Sequence, residues 1–434
     1  KHQTLFKQSL RMNERITASI ITIGDELLIG QTIDTNSAWM AQELNRNGIW
    51  VRRRVAVGDV REEIWQALDA ELEESDIVLL TGGLGPTADD ITKPLLADYF
   101  GGKMIVHEGA LQNVKYIFET VLKRPLLERN LKQAEVPDCC EVLLNKRGTA
   151  PGMWFEPAGT RKRVVVSMPG VPFEMKGMMT ESVLPRLRTT FALPAIAHRT
   201  LLTAGAGESF IAERIEPWSQ QLPPHIKLAY LPNYGMVRLR LTAQGTNRHE
   251  LEQEIDFFFA ELQQLVSDIL VMNEDTTLEQ AVGALLQQQG GTLATAESCS
   301  GGYIAHLVTS HAGASAWFKG TVVAYSNDAK EQLLGVPAAT LQQQGAVSEA
   351  TVLAMLQGVL QRTGATHGIA TSGIMGPGGG TPDKPVGTVW IAVGNAQAQV
   401  AQQFHFRFDR MRNIQLTAAH ALLQLYRFLK QPAE

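Results

Sequence analysis

The chain has 434 residues, enough for two to four domains that each bury a core. With 44% hydrophobic and 19% charged residues it has an ordinary globular composition, and a net charge of -5 argues against a general nucleic-acid-binding surface. No apolar run approaches the roughly 20 residues that cross a bilayer, and Cys139, Cys140 and Cys299 lack the spacing of a disulfide framework or zinc site, so a reducing, cytoplasmic setting is expected.

In chain order, Lys1 to Arg11 is basic but lacks the apolar core of a signal peptide, and residues 1–16 read as an unstructured leader. From Thr17 a strand at 18–23, a helix from Thr35 to Asn47, a strand from Val51 to Val57, a helix from Arg61 to Glu74 and a strand from Asp76 to Leu80 alternate. That order predicts an α/β domain built as a three-layer parallel sheet, over residues 17–172. Arg52, Arg53 and Arg54, the one conspicuous basic run, fall on a strand expected to be solvated.

In such a sheet the ligand site lies beyond the carboxyl ends of the strands. Two loops leave those ends: one carries Asp25 and Glu26, and the other runs Thr81-Gly82-Gly83-Leu84-Gly85-Pro86-Thr87-Ala88-Asp89-Asp90. The second loop matches neither a Walker A loop nor a dinucleotide fingerprint. Its glycines suit a phosphate, and Asp89 and Asp90 suit a hard divalent cation; the plainer reading is an Asp-rich, helix-capping turn.

Between Phe173 and Asp268 the rhythm changes to a helix around Ser209 to Ile215, a hairpin of Lys227–Leu231 and Met236–Leu241, and a helix from His249 to Val266 with Ile255, Phe258, Phe259 and Leu262 inward. Residues 173–268 are therefore expected to form a small α+β module without visible chemistry. The last domain, 269–434, opens at Thr276, with Glu279 three positions on completing a capping box ahead of the stripe Leu278, Val282, Leu285 and Leu286.

Within this α/β C-terminal domain the turn Ala296-Glu297-Ser298-Cys299-Ser300-Gly301-Gly302 joins a strand to a helix beginning at Tyr303. Free N–H groups at the helix start suit an anion or an acyl-transfer oxyanion, whereas a lone Ser-Gly-Gly would merely cap the helix. No histidine stands in the neighbouring loops, which leaves a lysine of lowered pKa as the base, and Lys330, after Tyr325-Ser326-Asn327, is the candidate. The loop from Ser372 and Gly373 through Gly378, Gly379 and Gly380 suits a phosphate, and Arg410 and Arg412, set against the positive end of a helix dipole, suit a bound anion or an exposed helix start.

These motifs resemble the competence/damage-inducible protein A (CinA) family. Gly24-Asp25-Glu26, the 81–90 loop, Asn145 with Gly148 to Gly152, and Met168 to Met175 look like its molybdopterin-binding-like N-terminal domain. Ala296 to Gly302, Tyr325 to Lys330, Gly345 to Glu349 and Ser372 to Gly387 resemble its C-terminal amidase domain, with Ser300 where the family has threonine. For the N-terminal domain the resemblance implies a metal-dependent ADP-ribose pyrophosphatase, with Asp25, Glu26, Asp89 and Asp90 on the metal and Gly82, Gly83 and Gly85 on phosphate. For the C-terminal domain it implies cofactor-free hydrolysis of nicotinamide mononucleotide to nicotinic acid mononucleotide and ammonia. Ser298 is then the nucleophile, Lys330 the base and Tyr325 its support. Gly301 and Gly302 hold the oxyanion, Arg410 or Arg412 with the glycine loop hold the 5'-phosphate, and Ser300 and then Cys299 are the reserve nucleophiles. A nucleotide-sensing protein without turnover is the alternative. A homodimer is expected, with no nucleic-acid or membrane partner.

Overall fold

The computed structural model describes residues 15–87, 90–233 and 235–431, so nearly all of the expected leader, together with Asp89, lies outside the described residues. Two compact units emerge, one mainly of the chain up to His198 and one mainly of the chain from Phe257; Arg199–Leu222 and Lys227–Leu241 belong to the second.

In the first unit β1 (Thr17–Ile23), β2 (Trp50–Val57), β3 (Ile77–Thr81), β6 (Glu141–Leu143), β7 (Gly152–Phe155) and β8 (Val164–Met168) form one sheet in the order β2-β1-β3-β8-β7-β6, while β4 (Met104–Val106) and β5 (Glu135–Pro137) pair separately. The four strands β2, β1, β3 and β8 run parallel, but β7 and β6 are antiparallel, so the sheet is mixed rather than parallel throughout. Because side chains alternate across a strand, Ile20 and Leu79 face one core with Met40 and Leu44 of the helix Thr35–Arg46, and Ile21 and Leu80 face another with Ile64 and Leu68 of the helix Arg61–Glu74. These are the three expected layers. Arg52, Arg53 and Arg54 are exposed as anticipated, Arg53 reaching the buried Glu71 carboxylate at 2.9 Å.

The intervening segment contains β9 (Ala195–Ala204), β10 (Ile226–Asn233), β11 (Met236–Gly245) and β12 (Leu270–Met272) in the order β10-β11-β9-β12, with helices Glu208–Ser219 and Arg248–Leu265. Ile255, Phe259 and Leu262 of the latter are buried, and Phe258 is half-buried.

In the second unit β13 (Leu293–Glu297), β14 (Phe318–Val323), β15 (His367–Gly373), β16 (Thr388–Asn395) and β17 (Gln399–His405) form a sheet ordered β14-β13-β15-β16-β17. The first three strands are parallel and the last two antiparallel. Val282 and Leu286 of the helix Leu278–Gln288 and Leu422 and Leu425 of the helix Arg410–Lys430 cover one face. Met355, Leu356 and Val359 of the helix Glu349–Thr363 cover the other, close against Ala294, Ala296 and Ala370. The capping box sits one residue later than expected: Thr277 is the N-cap and Gln280 its partner, because Glu279 is drawn to His311 at 3.1 Å. Among the described residues no helix is long and apolar enough to cross a membrane.

Candidate active site

Parallel pairing of β14, β13 and β15 brings the loops after all three strands to one edge of the C-terminal sheet. The central loop is the Ser298 turn. Ser298 is 7% exposed, its N–H donates to Thr371 O at 3.0 Å, and its hydroxyl makes no hydrogen bond among the described residues. Ser300 differs: its hydroxyl donates to Glu297 Oε2 and shares a bond with Thr371 Oγ1, each at 2.8 Å. Of the two serines, Ser298 has the uncommitted hydroxyl.

The donors expected to receive an anion at the helix start are already taken. Glu297, fully buried at the end of β13, accepts from Gly302 N at 3.0 Å, Ile304 N at 3.1 Å and Ala305 N at 2.9 Å, as well as from the Ser300 and Thr295 hydroxyls. Gly301 N donates to Ser298 O at 3.2 Å. Gly301 and Gly302 thus hold the turn rather than offering N–H groups to a ligand, and their positive φ of 62° and 94° lets the chain fold back onto the carboxylate. Cys299 and Ser300 keep main-chain N–H groups without a hydrogen bond to another described residue. Glu297 was not singled out from sequence; the signal was a carboxylate at the last position of an apolar strand, just before a helix start, where its charge suits the dipole.

Lys330 enters from the next strand. Ser326 caps the helix Asn327–Leu334 by accepting Ala329 N at 3.1 Å, and the fourth helical residue turns inward. At 2% exposure its Nζ donates to Ala324 O at 3.1 Å and reaches Tyr325 O at 3.5 Å. Ala324 N donates to Glu297 O at 2.9 Å and Glu297 stands abreast of Val323, so this amine is held on the residue alongside Ser298, on a neighbouring strand whose backbone lies about 5 Å across the sheet. No carboxylate pairs with it among the described residues, and burial lowers its pKa from the ordinary lysine value. The Cys299 thiol lies near enough to sense that charge, yet burial pushes it up to about 12, which leaves it protonated near neutrality.

Tyr325 supports the lysine through its carbonyl and not its phenol. The exposed Tyr325 hydroxyl instead accepts from Arg410 Nη2 at 2.6 Å, while Arg410 Nη1 donates to Gly376 O at 2.8 Å, so this arginine spans the β14 and β15 loops. Arg412, about 200° further round the helix, stacks on Phe408 at 5.9 Å and lines a pocket with Gly205 and Gly207. Ser372 is buried with its hydroxyl on Ala346 O at 2.7 Å, and Gly373 is paired to Val389; both shape the strand end. Gly378 and Gly379 are exposed in the loop beyond it. Asn413, also unanticipated, is fully buried and donates to Met375 O and Phe408 O, tying that loop to the last helix.

The N-terminal loops assemble less. Gly82 N donates to Met168 O at 3.2 Å and Gly85 N to Asp90 Oδ1 at 2.7 Å, so neither N–H is available to a phosphate; Gly83, at φ 65°, packs against Thr92. The other Asp90 oxygen accepts Thr87 N and the Thr87 hydroxyl, the loop-capping role. Asp25 and Glu26 are exposed on the short helix Asp25–Leu28, Asp25 exchanging hydrogen bonds with Asp59. Among the described residues no group of three or more His, Cys, Asp or Glu side chains is placed to hold a metal ion. Asp89, the fourth residue expected on the metal, lies outside the described residues.

Fold and site together describe a multi-module α/β protein with an uncommitted serine and a buried lysine at one sheet edge. Residues 275–429 match the CinA C-terminal domain, 19–189 a probable molybdopterin binding domain, and 198–270 the damage-inducible protein CinA KH domain. The chain is 46% identical over 427 residues to a CinA-like protein of Cytophaga hutchinsonii, covering 97% of this chain and 100% of the relative. To a CinA-like protein of Flavobacterium psychrophilum it is 43% identical over 411 residues, 94% of this chain and 98% of the relative. A crystal structure of competence damage-inducible protein A from Klebsiella pneumoniae aligns with 36% of this chain and 97% of its own, at 36% identity and a TM-score of 0.35. The chain belongs to the CinA family.

Proposed function

We propose that the C-terminal domain is an amidohydrolase that converts nicotinamide mononucleotide to nicotinic acid mononucleotide and ammonia. The observation that carries this reading is the Lys330 amine, buried without a carboxylate partner among the described residues and held on Ala324, the residue alongside Ser298, whose own hydroxyl is uncommitted. Burial lowers its pKa from the ordinary lysine value and so favours the neutral amine that a base requires.

Ser298 Oγ adds to the carboxamide carbon while its proton passes to Lys330 Nζ. The carbonyl oxygen becomes an oxyanion facing the N–H groups of Cys299 and Ser300. Collapse breaks the carbon–nitrogen bond, and the leaving nitrogen takes the proton from Lys330 and departs as ammonia. Water then attacks the seryl ester, giving a proton to Lys330 that returns to Ser298 as the acid is released. Arg410, at the mouth between Tyr325 and the glycine loop, is the cation for the 5'-phosphate.

Ser298→Ala and Lys330→Ala should each reduce ammonia release by about 10³-fold or more, with thermal unfolding preserved. Near-normal turnover by Ser298→Ala would remove the assignment, and Ser300→Ala examines the reserve nucleophile in the same assay. The engagement of Asp90 with its own loop gives a metal-dependent pyrophosphatase no comparable support. Release of AMP from ADP-ribose, with and without divalent metal, is the experiment that decides that second reading.

A further inference from the structure

Within the second unit, a cavity of about 130 Å³ lies against the back of the helix that follows the serine turn. Its apolar walls include Leu202 and Met236 from the intervening sheet, Leu278, Leu307, and Ala419 and Leu422 of the last helix. A dry cavity of about 150 Å³ accepts a benzene ring, so this volume suits one six-membered ring whose substituent sits at the mouth.

The polar groups on its wall sort into two kinds. Glu279 and Arg238 are committed, the first to His311 at 3.1 Å and the second to Thr276 O at 2.7 Å with Asp275 beyond. The Tyr303 hydroxyl and the Asn233 and Gln415 amides, by contrast, make no side-chain hydrogen bond among the described residues. Neutral groups that both donate and accept match a neutral ligand that does the same. The matching class is a six-membered heteroaromatic ring bearing one carboxamide.

Tyr303 and Leu307 also link this cavity to the serine turn. Both lie on the helix Tyr303–Thr309, whose flanking Gly302, Ile304 and Ala305 N–H groups grip Glu297. We propose that the cavity is an effector site for a neutral heteroaromatic carboxamide, and that a bound ring, packed on Tyr303 and Leu307, steadies the helix that holds the Ser298 turn. The binding half of this proposal is independent of the amidase reading; the rate half rests on it.

Titration calorimetry of the full chain with nicotinamide as the probe tests it. Saturable binding is expected with a Kd of about 1 mM, as befits so small a ligand. Ala419→Leu, which fills the cavity, should weaken it about tenfold, and Tyr303→Phe and Gln415→Leu about three- to tenfold each, with thermal unfolding unchanged. Pyridine, lacking the carboxamide, and the anion nicotinate should bind about fivefold more weakly or worse. Saturating nicotinamide should raise ammonia release about twofold in the native chain and not in Ala419→Leu. No saturable heat, or binding untouched by both Ala419→Leu and Tyr303→Phe, overturns the site; binding without a rate change in an active enzyme overturns the coupling. Were Ala419→Leu to unfold, Tyr303→Phe, which removes one oxygen, decides the question.

Discussion

Replacing Glu297 by glutamine examines the turn with a near-isosteric change. Glu297 Oε2 accepts three hydrogen bonds, from Ser300 Oγ, Gly302 N and Ile304 N, and Oε1 accepts two, from Thr295 Oγ1 and Ala305 N. If the glutamine oxygen takes the place of Oε2, the three bonds survive but lose the strength that the charge gave them. The new NH₂ then faces Thr295, whose hydroxyl can rotate to accept, and Ala305 N–H, which cannot. One buried donor left unpaired costs about 1–3 kcal/mol, and weakening three charge-assisted bonds adds to it. A loss of about 2–4 kcal/mol is expected. Urea unfolding followed by a probe in the C-terminal domain measures it, read as a shift of midpoint at constant slope. A change below about 0.5 kcal/mol, the level of an ordinary surface substitution, would refute the claim that this carboxylate organises the turn.

Lys330→Met should abolish ammonia release yet stabilise the fold. Because the folded pKa lies below the unfolded value, the unfolded chain binds the extra proton between the two, so the native lysine destabilises the protein at neutral pH and this penalty shrinks as pH rises toward the unfolded value. Melting temperatures at pH 7 and at alkaline pH should show the gain from Lys330→Met narrowing; a lower melting temperature than the native chain at pH 7 opposes the argument. Arg410→Ala should raise KM for the mononucleotide about tenfold with a smaller effect on kcat, while Arg412→Ala, on the far side of the helix, should leave steady-state kinetics within about twofold. Asp90→Ala should cost the N-terminal domain about 1–3 kcal/mol through its orphaned loop donors, read by chemical unfolding of that domain.

What was legible in the sequence followed local periodicity. The helix Arg61–Glu74 is found where its apolar stripe puts it, and the strand–turn–helix around Ser298 is present because Leu293 to Ala296 is a run of small, apolar and β-branched residues and two glycines allow the sharp return. What was not legible depends on long-range pairing or on helix phase. β8 reads simply as apolar, β16 and β17 are held by antiparallel partners, and none of the three carries a turn signal that names its neighbour. Arg410 and Arg412 look equivalent as a pair, but two residues on a helix point to nearly opposite sides, and just one reaches the site. Asp90 reads as a candidate metal ligand or a loop cap, and no local pattern names the Gly85 and Thr87 N–H groups that its carboxylate accepts. The role of Glu297 was hidden because its donors converge only once the turn has closed.

The pH dependence of kcat/KM for ammonia release from nicotinamide mononucleotide tests the Ser298–Lys330 pair most directly. The rate should climb with pH through an inflection below the free-lysine value of about 10.4, and Ser300→Ala should retain that inflection. Flat behaviour across this range, or the same inflection persisting at full amplitude in Lys330→Ala, would contradict a neutral buried lysine as the base.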